Sequence, residues 1–141
     1  NKQVVDIETL KAIIVNRLHV MAHYNKKVLS PVMRDEIAQA DTSWQRLLRK
    51  GRRALRRNEI LIDTQQRAHL NNILQRSQTL HTVYEYRQKL QEIWARSTTT
   101  PESLVHHLQE WCRQAEATGN AYLQNFARTL PHYSTVKIGN T

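Results

Sequence analysis

TTTPESLVHHLQEWCRQAEATG, residues 98–119, holds a complete helix with both of its ends. Thr100 carries a side-chain oxygen that can cap a helix N-terminus. Pro101 follows at the first helical position, where the missing N–H had no intrahelical partner to lose. Leu104, Val105, Leu108, Trp111, Cys112 and Ala115 then recur at three- and four-residue steps and make one apolar face. Gly119 can take the left-handed conformation that closes such a helix.

The same grammar extends in both directions. Asp63-Thr64-Gln65-Gln66 reads as a capping box that opens a helix carrying Ala68, Leu70, Ile73 and Leu74 to about Arg76. Thr79 is the expected cap of the next helix, whose inner positions are Leu80, Val83, Tyr84, Arg87, Leu90, Ile93 and Trp94. A last short helix takes Tyr122, Leu123, Phe126 and Leu130, and Pro131 is expected to end it. Toward the N-terminus, a helix opens near Asp6, Ile7 and Glu8, where acidic residues suit the positive end of the dipole. Leu10, Ile13, Ile14, Leu18, Met21 and Val28 give it one apolar stripe. Ser30-Pro31 should break or kink it, with Val32, Met33 and Ile37 continuing beyond. A helix from Thr42 or Ser43 buries Trp44, Leu47 and Leu48. Gly51 is a candidate interruption, Ala54 and Leu55 extend the inner face, and Asn58 is the expected stop. Ile60-Leu61-Ile62 is a connector expected to bury.

The expected fold is therefore all-α: a compact bundle of six or seven helices in a single domain over residues 1–133, with a loose tail over residues 134–141. Composition agrees, since 3 Gly and 3 Pro in 141 residues are too few for the tight turns of a sheet-rich fold. The longest strictly apolar stretch, Ala12-Ile13-Ile14-Val15, falls far below the ~20 residues a membrane span needs. No signal peptide is visible, and the start lacks a methionine, which sets the expectation of a part cut from something larger.

Charge is the strongest functional signal. Between Arg46 and Arg57 seven of twelve residues are basic (Arg46, Arg49, Lys50, Arg52, Arg53, Arg56 and Arg57), no acid lies among them, and they supply +7 of a net charge of +9. Like charges this dense repel one another and oppose folding. As an anion-binding stripe they could track nucleic-acid phosphates or dock on an anionic membrane leaflet. The alternative is a solvated face partly paired to Glu36, Asp41 or Glu59. Base-specific DNA readout is not indicated, because a stripe alone reads phosphates.

Other chemistry does not assemble. His19 and His23 share a helix face at a spacing that can bind metal, but two ligands make no site, and Val20 stands where a zincin has its glutamate. His106 and His107 point about 100° apart. Asp35 or Glu36 could complete a metal site only if the fold brought them to His19 and His23. Cys112, the only cysteine, allows no intrachain disulfide and reads as a buried structural thiol. No serine lies in a nucleophile-elbow pattern, and glycines at 51, 119 and 139 cannot form a phosphate loop. Trp44, Trp94 and Trp111 fall on inner faces and read as core.

Two resemblances attach to particular stretches. VNRLHVMAHYNKKVLSPV (15–32), TLHTVYEYRQKLQEIWA (79–95) and LQEWCRQAEATGNAYLQNFARTL (108–130) resemble the C-terminal region of bacterial membrane fatty acid desaturases of the stearoyl-CoA or acyl-CoA type. That resemblance implies a non-catalytic domain on the cytoplasmic side of the inner membrane, itself soluble. Its basic face would meet anionic lipid or an acidic partner protein. The parent would be an oxidoreductase of lipid metabolism. A di-iron centre is implied for that parent, held by histidine boxes; His19 and His23 imitate the first box, whereas Ser103 stands where the second needs histidine beside His106-His107.

The later half is also similar to the helical region near the C-terminus of DDE-type insertion-sequence transposases. Its pattern is read here, allowing a one-step shift, as Tyr86, Lys89, Gln91 and Trp94, then Trp111, Ala115 and Gly119, then Phe126-Ala127-Arg128-Thr129-Leu130. This second resemblance implies a helical domain that binds DNA through Arg46 to Arg57. The family's three catalytic acids belong to a ribonuclease-H-like sheet, and its E-G-x-N-N stretch does not occur in this chain. The desaturase reading is the main expectation, the transposase reading the alternative, and a stand-alone interaction bundle the third.

Overall fold

The computed structural model describes residues 17–96 and 100–139. The helix start at Asp6 to Glu8, the apolar positions Leu10, Ile13 and Ile14, and Thr98 and Thr99 lie outside them. The described residues are all-α, as the sequence predicts, with no strand among them. Helix α1 covers residues 17–24 and runs into a π-helical turn, Asn25–Leu29. There follow α2 (Ser30–Gln39), α3 (Thr42–Leu55), a 3-10 turn (Glu59–Leu61), α4 (Thr64–Arg76), α5 (Gln78–Arg96), α6 (Pro101–Ala117) and α7 (Ala121–Gly139). Tyr24–Gln88 forms one compact unit, and the described residues on either side of it form another.

Within Tyr24–Gln88 the expected break at Ser30-Pro31 takes the form of the π turn. The Ser30 N–H donates to the Asn25 carbonyl, five residues back. Pro31 has no N–H to give, so the Lys27 carbonyl lacks its α-type donor; the π turn lies just before this gap, and the helix continues through it. Asp41 caps α3 by accepting from the Trp44 N–H at 2.8 Å. The Gln45 amide donates to the carbonyls of Ile37 and Ala40, at 3.0 and 3.2 Å, and ties the α2–α3 corner. At the head of α4 the capping box at Asp63 and Gln66 is complete in both directions. The cap of α5, however, is Ser77 and not Thr79: its hydroxyl accepts from the Leu80 N–H at 3.1 Å. The α4–α5 connection is so short that the same buried Ser77 ends one helix and starts the next.

Gly51 does not interrupt α3. It is buried, and a Cβ built there would lie 2.2 Å from Ile73 Cδ1, so the missing side chain is what lets α3 approach α4. The helix accepts glycine's propensity cost of about 1 kcal/mol in exchange for this contact. Ile73 is itself fully buried, which leaves its methyl no spare room. Gly51→Val is therefore expected to destabilise the chain by about 2 kcal/mol through overpacking, read as a lower urea midpoint; an unchanged midpoint would show that Ile73 can swing away.

The Ile60-Leu61-Ile62 connector does not bury as expected. Ile60 is 84% and Leu61 62% exposed. Asn58 Oδ1 accepts from the Ile60 N–H, and the Arg67 guanidinium holds both the carboxylate and the carbonyl of Glu59. These bonds wind the turn so that two of the three apolar side chains face water, and only Ile62 is half-buried.

In the second unit α6 and α7 form a hairpin. Thr100 Oγ1 accepts from the Ser103 N–H at 3.0 Å, Pro101 occupies the first turn, and Gly119 closes the helix with φ +79°. Asn120 then caps α7 by accepting from the Leu123 N–H at 3.0 Å. Glu116 accepts from Gln124 through its carbonyl and pairs with Arg128 through its carboxylate. Trp111 meets Phe126 edge-on, with centroids 5.8 Å apart, and Leu108, Cys112, Ala115, Leu123 and Leu130 are buried around this pair's helices. Pro131 does not end α7, and the loose tail expected from residue 134 is helical as far as Gly139. Proline removes one bond, from its own nitrogen to the Ala127 carbonyl; residues beyond it keep donors of their own.

Candidate functional site

All seven basic residues from Arg46 to Arg57 are exposed, while Leu48, Gly51, Ala54 and Leu55 between them are buried. At about 100° per residue, the five cations within α3 span an arc of roughly 160°, centred opposite the buried face. Arg56 and Arg57 carry the stripe past the end of the helix. Among the described residues none of the seven forms an ion pair: Asp41 is engaged at the α3 cap and Glu59 is paired with Arg67 at 3.2 Å. The face is thus an array of uncompensated charge on a helix held at both ends.

The support at its C-terminal end is Arg87, which is buried with only 4% exposure. Its guanidinium donates to the carbonyls of Arg56 at 2.7 Å and Arg57 at 3.1 Å, and to Asn25 Oδ1 at 3.0 Å. The Asn25 amide donates in turn to the Arg56 carbonyl at 3.2 Å. A cation at the carbonyl end of a helix is favoured by the dipole and satisfies groups that have no helical donor. Burial lowers the Arg87 pKa, with Tyr84 and Tyr24 opposing that shift; a guanidinium stays protonated all the same. The signal for this role stood in the sequence as an arginine in the apolar register of α5, between Tyr84 and Leu90.

Tyr84 lies beside this network with a buried hydroxyl that has no hydrogen-bond partner. Burial, ahead of the nearby Glu59, raises its pKa. An unpaired buried hydroxyl costs about 1–3 kcal/mol, so Tyr84→Phe is expected to leave stability unchanged or raise it by about 1 kcal/mol in urea unfolding. A clear loss would reveal a partner for that hydroxyl.

The remaining candidates separate. His19 is exposed, and His23 is half-buried with its ring 5.7 Å from Phe126. Among the described residues no group of three His, Cys, Asp or Glu could hold a metal. The rings of His106 and His107 stand 5.8 Å apart at 58° to one another. Trp94 and Trp111 are buried, whereas Trp44 is half-buried with the Arg76 guanidinium 4.5 Å from its ring centroid. Cys112 is buried, and desolvation followed by the nearby Glu116 pushes its thiol up to about 12. The thiolate is then negligible near pH 7. Cys112 is expected to resist a thiol-specific disulfide reagent in the folded chain and to react only in denaturant; rapid native labelling would contradict this.

A family model described as "Transposase", that of DDE transposases of the ISL3 type, matches residues 4–137. The chain belongs to this transposase family. It is also similar to the transposase for insertion sequence element IS1001 of Bordetella parapertussis, 34% identical over 125 residues, 86% of this chain. The chain spans about 30% of that relative's length. No solved structure matches it. The expectation of a desaturase domain is thereby corrected: the match runs through the very stretches on which that resemblance rested, and it is to transposases. The di-iron expectation had no other ground. Membrane docking also loses its family argument, and no described helix is long and apolar enough to cross a membrane. Both resemblances rest on apolar and aromatic spacing in amphipathic helices, which many helical domains share.

Proposed function

We propose that this chain is a helical DNA-binding part of an insertion-sequence transposase, and that α3 with its flanking arginines grips the phosphate backbone of duplex DNA. The observation that carries the reading is the set of seven exposed cations without acidic partners, on a helix fixed by Asp41 at one end and Arg87 at the other. Family membership supplies the reason to choose DNA over other polyanions. The similar protein is named as the transposase for an insertion sequence element, and a stripe of this kind gives position and affinity on DNA without reading bases. DNA strand transfer by the full-length protein would need acidic residues that this reading does not assign to the chain.

The test is equilibrium binding of the 141-residue chain to duplexes of unrelated sequence over a range of salt, with anionic vesicles in parallel. Log affinity should fall linearly with log salt, alike for each sequence. Absence of duplex binding at low salt, or a clear preference for vesicles, would overturn the reading.

A further inference from the structure

Three exposed arginines converge beside the stripe. Arg34 of α2 and Arg52 and Arg56 of the stripe line one groove, whose apolar lining comes from Leu29, Met33 and Ile37. No carboxylate lines it. Arg34 lies twelve residues before the basic run and is exposed; only the fold brings it to the stripe. The groove's volume of about 220 Å³ is below the roughly 300–1,000 Å³ of sites for drug-sized ligands. It suits one ring system bearing a negative charge.

Duplex DNA offers phosphates to a convex cationic helix, but its base faces are stacked away. A nucleotide that has left the stack offers both features together: a flat apolar face and a phosphodiester. Guanidiniums also stack on exposed bases. We infer that the α2–α3 groove accepts a single unpaired nucleotide at the end of the duplex that α3 tracks, with Arg34 as a contact outside the sequence-evident stripe. This rests on the DNA reading above and adds a specificity to it.

The experiment compares three DNAs by fluorescence anisotropy with the 141-residue chain: a blunt duplex, the same duplex with one unpaired terminal nucleotide, and the same overhang lacking its base. The unpaired nucleotide should tighten binding at least about fivefold, since base stacking on a protein is worth about 1–3 kcal/mol, and removal of the base should abolish the gain. Arg34→Ala and Ile37→Glu should remove most of the gain. Arg49→Ala, on the stripe but outside the groove, should weaken binding to all three DNAs alike and keep their ratio. Equal binding of blunt and overhang duplexes by the wild type would overturn the groove assignment and leave the DNA reading standing. So would an Arg34→Ala ratio as high as that of Arg49→Ala. Failure to bind any of the three would overturn both.

Discussion

Replacing Arg46, Arg49 and Arg53 together with glutamine is expected to reduce the salt dependence of DNA binding by nearly half. If all seven cations displace counterions, log affinity should change with log salt at a slope of about −6, since each phosphate contact contributes roughly −0.9. Between 50 and 200 mM salt that is about a 10³- to 10⁴-fold loss. The triple variant keeps four contacts, with a slope near −3.6 and about a 10²-fold loss over the same interval. All three side chains are exposed and unpaired in the described structure, so folding should change by no more than about 0.5 kcal/mol, with any shift toward greater stability as repulsion is relieved. Anisotropy titrations at several salt concentrations, with urea unfolding of both chains, give the two numbers separately. Identical slopes in variant and wild type would mean that these cations do not meet DNA.

The second large effect is expected from Arg87→Met, which keeps much of the apolar stem and removes the fork. The Arg57 carbonyl and the Asn25 side-chain oxygen then lose their charged donor at partly buried positions, and the Arg56 carbonyl keeps only the Asn25 amide. Each group left unsatisfied costs about 1–3 kcal/mol when buried, so with two such groups, partly buried, a loss of about 2 kcal/mol or more is expected in urea unfolding. Arg87→Lys should recover only part of it, because an ammonium cannot bridge the same acceptors as a planar fork. A midpoint within error of the wild type would show that the end of α3 is held by other groups.

What the sequence made legible was whatever is encoded locally. Asp63 with Gln66, Thr100 with Pro101, and Gly119 each act within one helical turn, so their side chains alone specify the ends they make. The stripe was legible for the same reason: charge without acids nearby in the chain has few places to go but water. Contacts between residues distant in the chain were not. Gly51 reads as a helix breaker until Ile73 is placed against it. Arg87 reads as an oddity in an apolar register until the carbonyls of Arg56 and Arg57 arrive above it. Ile60 and Leu61 read as core because hydropathy does not report which way a 3-10 turn winds. Arg34 gave no signal at all, since an isolated arginine on a helix is ordinary until α3 lines up beside it.

The bond set around Arg87 has a practical consequence. Its acceptors are amide and peptide oxygens, and the fork is buried, so mobile ions scarcely screen it. The stripe it steadies lies in full contact with the buffer. Concentrated salt should therefore strip nucleic acid from the chain during purification without melting the helix that held it, and desalting should restore the grip.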